Sequence, residues 1–223
     1  MKRVLLKLSG EALAGEKHTG FDEPTVTVVA KQVKQLVDEG IEVGIVIGGG
    51  NFWRGRTSET IDRPKADQIG MLATIMNCIY VSEIFRSVGM QTEVMTTLFS
   101  KDAAVAALEQ KKVVFFAGGT GHPYFSTDTA TVLRAIEIEA ETILLAKAID
   151  GIYDSDPKTN PQAKKYDEIS IQEVIDQRLA AMDLSASIMC MENKMPMLVF
   201  LLNEENSIVR AAKGDINGTK VTV

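Results

Sequence analysis

Apolar and polar positions along this chain follow two alternating periods. Short, nearly continuous apolar runs at 3–8, 41–47, 91–95, 113–116, 142–146 and 197–201 predict strands, and 219–223 predicts a short last one. Between them, apolar residues recur at helical spacing over 23–39, 65–88, 102–109, 128–139, 171–176 and 183–192. Strands that alternate with helices predict βαβ units and a mostly parallel sheet with helices on both faces, an α/β fold of αβα sandwich type. The run Val43, Gly44, Ile45, Val46, Ile47 has no polar alternation, so it reads as a strand buried on both faces. No long polar linker, repeat or low-complexity tract interrupts the pattern, and residues 1–223 read as one domain. The longest irregular stretch is 150–166, rich in Asp, Pro and Lys, which reads as a functional surface loop.

The chemistry gathers where the predicted strands end. In an open parallel sheet, ligands sit beyond the carboxyl ends of the strands. Lys7, Leu8, Ser9 and Gly10 close the first strand, and Gly48, Gly49, Gly50 and Asn51 follow the second. The segment 118–130 (GGTGHPYFSTDTA) follows the fourth, and Asp150 to Asp156 follows the fifth. In Gly119-Thr120-Gly121 the backbone can turn tightly and approach a ligand closely. Asp128 stands at the N-cap of the helix predicted after this loop, and a helix N-terminus behind a glycine turn suits an anion. A lysine at the end of a buried strand, such as Lys7, is costly unless it meets an anion. Three consecutive glycines expose successive backbone N–H groups, and Arg54 could add a charge-assisted bond to the same anion. Gly10 and Gly15 have P-loop spacing, but Glu16 stands where that loop needs lysine, which sets the P-loop class aside. Asp67 opens the long predicted helix. Asp128, Asp150 and Asp156 could each orient magnesium or a lysine, or make an Asx turn. Lys147 ends the fifth strand, on the same face as Leu145.

Composition narrows the ligand. A net charge of −6 argues against a sequence-independent grip on nucleic acid or an anionic membrane, so any nucleotide field must be local. Only two cysteines, Cys78 and Cys190, occur, each in an apolar or Met-rich run; they read as buried thiols of a reducing cytoplasm. With two histidines, His18 and His122, a histidine-based zinc site is not expected. The N-terminal apolar run is short and carries Lys7, so it reads as neither signal peptide nor membrane span.

Taken together, MKRVLLKLSGEAL, GGGNFWRG, ADQIGMLATIMN, GGTGHPYFSTDTATVLRAIEIEAE, DGIYDSDP and MDLSASIMCMENKMP resemble the bacterial uridylate kinases of the amino-acid kinase family. The resemblance runs in order from Lys2 to Val223. It implies the amino-acid kinase fold, with an acceptor half at the N-terminal side and an ATP half at the C-terminal side. It also implies magnesium-dependent transfer of the ATP γ-phosphoryl group to UMP, giving UDP and ADP. Lys7, Leu8, Ser9, Gly10, Gly50, Arg54, Lys147, Tyr153 and Asp156 are then expected on the ATP side. Gly49, Asp67, Thr120, Gly121, His122, Pro123, Tyr124, Phe125, Ser126 and Thr127 are expected around UMP, with Asp67 on the ribose hydroxyls. Lys7, Asp128, Lys147 and Asp150 are the implied catalytic group, with magnesium held through the ATP phosphates rather than by a protein cage. Gly15, Glu16, Lys17, His18, Thr19 and Gly20 correspond to a loop that responds to GTP in many members. A homohexamer built as a trimer of dimers and inhibition by UTP are implied as well. One departure is visible: some relatives have lysine at the position of Leu145, whereas here lysine stands two residues later, at Lys147.

The residue types suit such a transfer. The attacking group would be a phosphate oxygen whose second pKa is about 6, so it needs no general base at neutral pH. Two rivals are a sister kinase acting on a carboxylate or carbamate, and a non-catalytic nucleotide-binding or storage protein on the same scaffold. Asp67 with GTGHPYFSTD argues against the first; Lys7, Arg54 and Asp128 argue against the second.

Overall fold

A computed structural model describes residues 1–17, 19–53 and 60–223. In chain order its strands are β1 (Arg3–Leu8), β2 (Glu42–Ile47), β3 (Thr92–Met95), β4 (Val113–Phe116), β5 (Thr142–Lys147), β6 (Ile152–Tyr153), β7 (Lys165–Tyr166), β8 (Glu168–Ser170), β9 (Met197–Leu201) and β10 (Gly218–Thr222). The helices are α1 (Gly10–Leu13), α2 (Glu23–Asp38), α3 (Arg63–Ser87), α4 (Lys101–Glu109), α5 (Thr127–Glu137), α6 (Ile171–Asp176), α7 (Leu184–Glu192) and α8 (Ser207–Ala212). An eight-stranded sheet runs in the order β3-β4-β2-β1-β5-β9-β10-β8. All its pairings are parallel except β9 with β10. This is a mostly parallel αβα sandwich, as the alternation of elements predicts.

Alternation along the strands sorts the core onto two faces. On β1, Val4, Leu6 and Leu8 join a cluster with Val29, Val33 and Leu36 of α2 and Cys78, Val81 and Phe85 of α3. Leu5 faces the other way, into a cluster with Leu108 of α4, Val132 and Ala135 of α5 and Val174 of α6. On β5, Leu144 and Ala146 join the first cluster, and Ile143 and Leu145 the second. Parity therefore puts Lys7 and Lys147 on the α5 face. Lys7 pairs in register with Leu145. Lys147 lies on the same face two residues, about 7 Å, further along.

Helix α3 is long and apolar enough to cross a membrane by length and composition. Its packing explains that character otherwise. One side buries Ala73, Cys78, Val81 and Phe85, and the ring of Phe85 meets Phe115 edge-on at 5.2 Å.

Several boundaries differ from the sequence pattern. Asp128 is not a cap: Ser126 caps α5, its Oγ accepting from Asp128 N (3.0 Å) and Thr129 N (3.3 Å). A serine hydroxyl reaches those donors across a shorter arm than a carboxylate at Asp128 could. Asp67 does not open α3, which begins one turn earlier at Arg63 with a proline in its first positions. The stretch 150–166 contains the antiparallel β6–β7 bridge rather than being wholly irregular. Helices α1 and α8 and strand β8 escaped the pattern: each is short and lacks the continuous apolar run that marked β1, β4 and β9.

Candidate active site

A cavity of about 630 Å³ opens at the carboxyl ends of β1, β2, β4 and β5. Each strand end adds one part of its wall. From β1 come Lys7, Ser9 and Gly10; from β2, Gly48, Gly49, Gly50 and Trp53. The first half of α3 gives Arg63, Asp67, Gly70, Met71 and Thr74. Gly119, Thr120, His122 and Phe125 come from the β4–α5 loop, and Ser126, Thr127 and Asp128 from the start of α5. Lys147 comes from β5.

The charged centre is a lysine–aspartate–lysine group. Lys7 Nζ lies 3.1 Å from Asp128 Oδ1, with side-chain exposures of 12% and 20%. Lys147 Nζ donates to the carbonyl of Ala181 and, at 3.5 Å, to that of Ala180. Burial pulls the Lys147 pKa below its ordinary value; Asp128 opposes that shift and Lys7 adds to it. Lys7 is thus ion-paired with Asp128, while Lys147, held by backbone carbonyls, lies within the electrostatic reach of both on the face that strand parity dictates.

The β4–α5 loop is shaped by its glycines and pinned by α3. Gly118, Gly119 and Gly121 have φ of +87°, +65° and +84°, a region that side chains rarely adopt. Thr74 Oγ1 accepts from Gly118 N at 2.9 Å. Asp67 Oδ2 accepts from Tyr124 N at 2.8 Å and from Arg63 Nε at 2.7 Å. The Arg63 guanidinium also lies 5.4 Å from the centre of the Tyr124 ring. At the far end of the loop, Ser126 Oγ donates to Asp183 Oδ2, and Thr129 Oγ1 donates to the same carboxylate at 3.2 Å. Asp183 in turn caps α7, accepting from Ala186 N at 2.9 Å.

Some residues expected at the site lie elsewhere. Leu8 is fully buried in the core, and only its backbone takes part, its carbonyl accepting from Gly48 N at 3.0 Å. Gly121, Pro123 and Tyr124 belong to the β4–α5 loop but not to the cavity wall. Asp150, Tyr153 and Asp156 also lie off that wall. Asp150 instead accepts from Tyr153 Oη at 2.7 Å and pairs with Lys165 Nζ at 3.0 Å. Burial opposes its ionisation, but hydrogen bonds from Tyr153 and Lys165 prevail and hold its pKa below the usual value. Asp156 accepts from Lys158 N at 2.9 Å, the Asx-turn role weighed for it above. Gly15, Glu16 and Lys17 form a short 3₁₀ turn, and Thr19 and Gly20 bond to Asn51. Arg54 and His18 lie outside the described residues.

Arg63 and Asp183 escaped the sequence reading. Arg63 carried a usable signal, a cation four residues before a helical carboxylate. Asp183 carried none towards this site, being 57 residues from Ser126.

Among the described residues no three His, Cys, Asp or Glu side chains converge into a metal-holding group. Magnesium carried on nucleotide phosphates keeps its waters and needs only one or two carboxylates, a demand that Asp128 beside the glycine loops can meet.

An open, mostly parallel sheet whose strand ends bring glycine loops and half-buried lysines around one cavity defines an α/β protein suited to phosphate. The chain belongs to the amino acid kinase family, whose model matches residues 2–201. It is similar to the solved UMP kinase of Bacillus anthracis, with TM-score 0.94 and 37% identity over 99% of this chain and 96% of that one. The UMP kinase of Ureaplasma parvum matches with TM-score 0.93 and 34% identity over 100% and 99% of the two chains. The uridylate kinase of Archaeoglobus fulgidus matches with TM-score 0.76 and 25% identity over 100% of both.

Proposed function

We propose that this chain is a uridylate kinase that transfers the γ-phosphoryl group of ATP to UMP, giving ADP and UDP. The observation that carries the proposal is that the β2 glycine triplet, the β4–α5 glycine loop, Lys7, Asp128 and Lys147 all line one cavity. Similarity to three UMP or uridylate kinases over nearly the whole chain supports the choice of acceptor.

In this reading the acceptor lies against Gly49, Asp67 and residues 120–127, and the donor phosphates against Ser9, Gly10, Gly50 and Lys7. A UMP phosphate oxygen, already ionised at neutral pH, attacks the γ-phosphorus. The bond from that phosphorus to the β,γ-bridging oxygen breaks, and ADP leaves. The chain's task is to align two polyanions and to offset the charge spreading over the transferred group. Lys7 and Lys147 supply positive charge; Asp128 orients Lys7, and the Ala180 and Ala181 carbonyls orient Lys147. Magnesium, bound through the nucleotide phosphates, would add charge neutralisation. Tyr153 and Asp156 would flank the adenosine of ATP.

The same proposal covers pyrimidine nucleotide synthesis in a reducing cytoplasm, activation by GTP, inhibition by UTP and a homohexameric assembly. Exposed Leu72 (61%), Met76 (48%) and Ile79 (54%) on one side of α3 support burial between subunits. Buried free Cys78 and Cys190, both with pKa raised to about 12 by burial, suit a reducing compartment.

The deciding experiment is a coupled ADP-release assay with UMP, CMP and aspartate as alternative acceptors. Release with UMP is expected. Release with aspartate alone would assign a sister kinase, and no release with any acceptor would leave a nucleotide-binding protein. Sedimentation with and without GTP or UTP tests the assembly.

A further inference from the structure

Behind the cavity wall, two buried asparagines hold the glycine triplet. Asn77 is fully buried and Asn51 is 2% exposed. Their side chains form a reciprocal amide pair: Asn77 Nδ2 donates to Asn51 Oδ1 at 2.8 Å, and Asn51 Nδ2 donates to Asn77 Oδ1 at 3.0 Å. The second proton of each amide goes to a backbone carbonyl. Asn77 Nδ2 donates to Gly48 O at 2.7 Å, and Asn51 Nδ2 donates to Gly20 O at 2.8 Å. Carbonyl oxygens only accept, so Gly48 and Gly20 each pin a nitrogen and neither amide can be turned over. The Asn51 backbone carbonyl accepts from Gly20 N at 3.2 Å and from Thr19 Oγ1 at 2.9 Å. At Gly10 an added Cβ would collide with Gly48 O and Asn51 Oδ1, so the start of α1 is packed against the same two residues.

Buried amides destabilise a core unless every donor and acceptor is matched. Here the matches fall on backbone that is about to become cavity wall. Neither asparagine lines the cavity, whereas Gly48, Gly49 and Gly50 do. One turn before Asn77 on α3, Thr74 accepts from Gly118 N, so one stretch of helix holds both glycine loops. We propose that Asn51 and Asn77 are positioning residues. Their amide pair sets the backbone of Gly48, Gly49 and Gly50 for phosphate and couples it to the seating of Thr19 and Gly20. The kinetic part of this proposal rests on the phosphoryl transfer proposed above; the structural part does not. Displacing a substrate-positioning group by ~1 Å can cost about 10²-fold in rate.

Asn77→Asp puts an oxygen where Gly48 O and Asn51 Oδ1 need a donor; Asn51→Ala removes the link to both Asn77 and Gly20. Cys78→Ala, a cavity-forming change at the neighbouring core position, serves as the control for lost stability alone. The chain's single tryptophan, Trp53, reports the loop directly, because its backbone N–H donates to Gly49 O at 3.0 Å. In variants shown to be folded, kcat should fall about 10-fold or more, with the KM for UMP within about threefold. Trp53 should become easier to quench with acrylamide. Cys78→Ala should melt earlier yet keep wild-type kcat and quenching. Hydrogen exchange on the wild-type protein gives a variant-free check. The amides of Gly20, Phe52 and Trp53 should open together, within about tenfold of one another. Folded asparagine variants with wild-type kcat and quenching would overturn the proposal, as would wild-type amides that open independently. If the wild-type protein moves no phosphoryl group to UMP, the proposed function falls, while quenching and exchange still decide the positioning role.

Discussion

Lys7 Nζ and Asp128 Oδ1 stand 3.1 Å apart, although the two residues come from opposite halves of the cavity wall, the end of β1 and the first turn of α5. Strand parity turns Lys7 toward α5, and Ser126, not Asp128, caps that helix. The pair is mostly shielded from water, so its geometry is held by the sheet and not by two mobile side chains. Lys7→Ala should lower kcat by about 100-fold or more, the cost of removing one group that stabilises developing charge. The melting temperature should change by only a few degrees. Steady-state kinetics beside a thermal melt make the comparison; a folded variant with near wild-type turnover would remove Lys7 from the chemistry.

Asp67 Oδ2 is already occupied by Arg63 and by the Tyr124 amide, which leaves Oδ1 to face a ligand. Asp67→Asn should raise the KM for UMP about tenfold, since hydrogen bonds to a charged group contribute roughly 1.5–3 kcal/mol. The KM for ATP should stay within about twofold. Arg63→Ala should shift the UMP KM in the same direction and by less, because it orients Asp67 without replacing it. An unchanged UMP KM in Asp67→Asn would take the carboxylate out of the acceptor site.

Ser126 caps α5 and also bonds to Asp183. Ser126→Ala removes both contacts. Loss of a serine cap costs about 1 kcal/mol. In a chain of this size that is roughly 2–4 °C of melting temperature. Because the cap also fixes the turn that carries Asp128, kcat should fall with stability. Differential scanning fluorimetry and kinetics on the same preparation would show whether the two losses occur together.

The Asp150 carboxylate has its pKa lowered from 3.8: burial opposes this, but hydrogen bonds from Tyr153 and Lys165 outweigh it. A carboxylate lowered on folding contributes stability that is fully present above its unfolded pKa. That stability is lost as pH falls through the folded value. Wild type should therefore exceed Asp150→Asn in melting temperature at neutral pH, and the gap should close in acid below 3.8. A gap that persists unchanged in acid would mean that the charge of Asp150 is not what holds the trio together.

The parts of this protein legible along the chain are those governed by period and by local turn chemistry. Apolar runs located β1, β4 and β9 to the residue, because a strand buried on both faces tolerates few polar positions. Glycine clusters marked the strand ends that surround the cavity, since tight turns and close approaches restrict residue choice. Helix starts were legible only in part: α2 and α6 begin where the pattern put them, at Glu23 and Ile171, but α3 and α5 do not. Asp128 and Ser126 are both good caps in isolation, and only the packed loop selects the serine.

Sequence alone determined the alternation of strands and helices, the mostly parallel sheet it implies, and which strand ends carry glycine, lysine and carboxylate. Only the tertiary structure decided which of those groups meet. It put Lys147 on one cavity wall with Lys7 and Asp128, and it turned Asp150 away to Tyr153 and Lys165. It also joined Asn51 to Asn77 behind the glycines, and brought Asp183 to Ser126 from 57 residues away. The reason is physical: periodicity records which face of an element is buried, a local property. Partners between elements are set by register and by the crossing of layers, to which residues far apart in the chain contribute jointly.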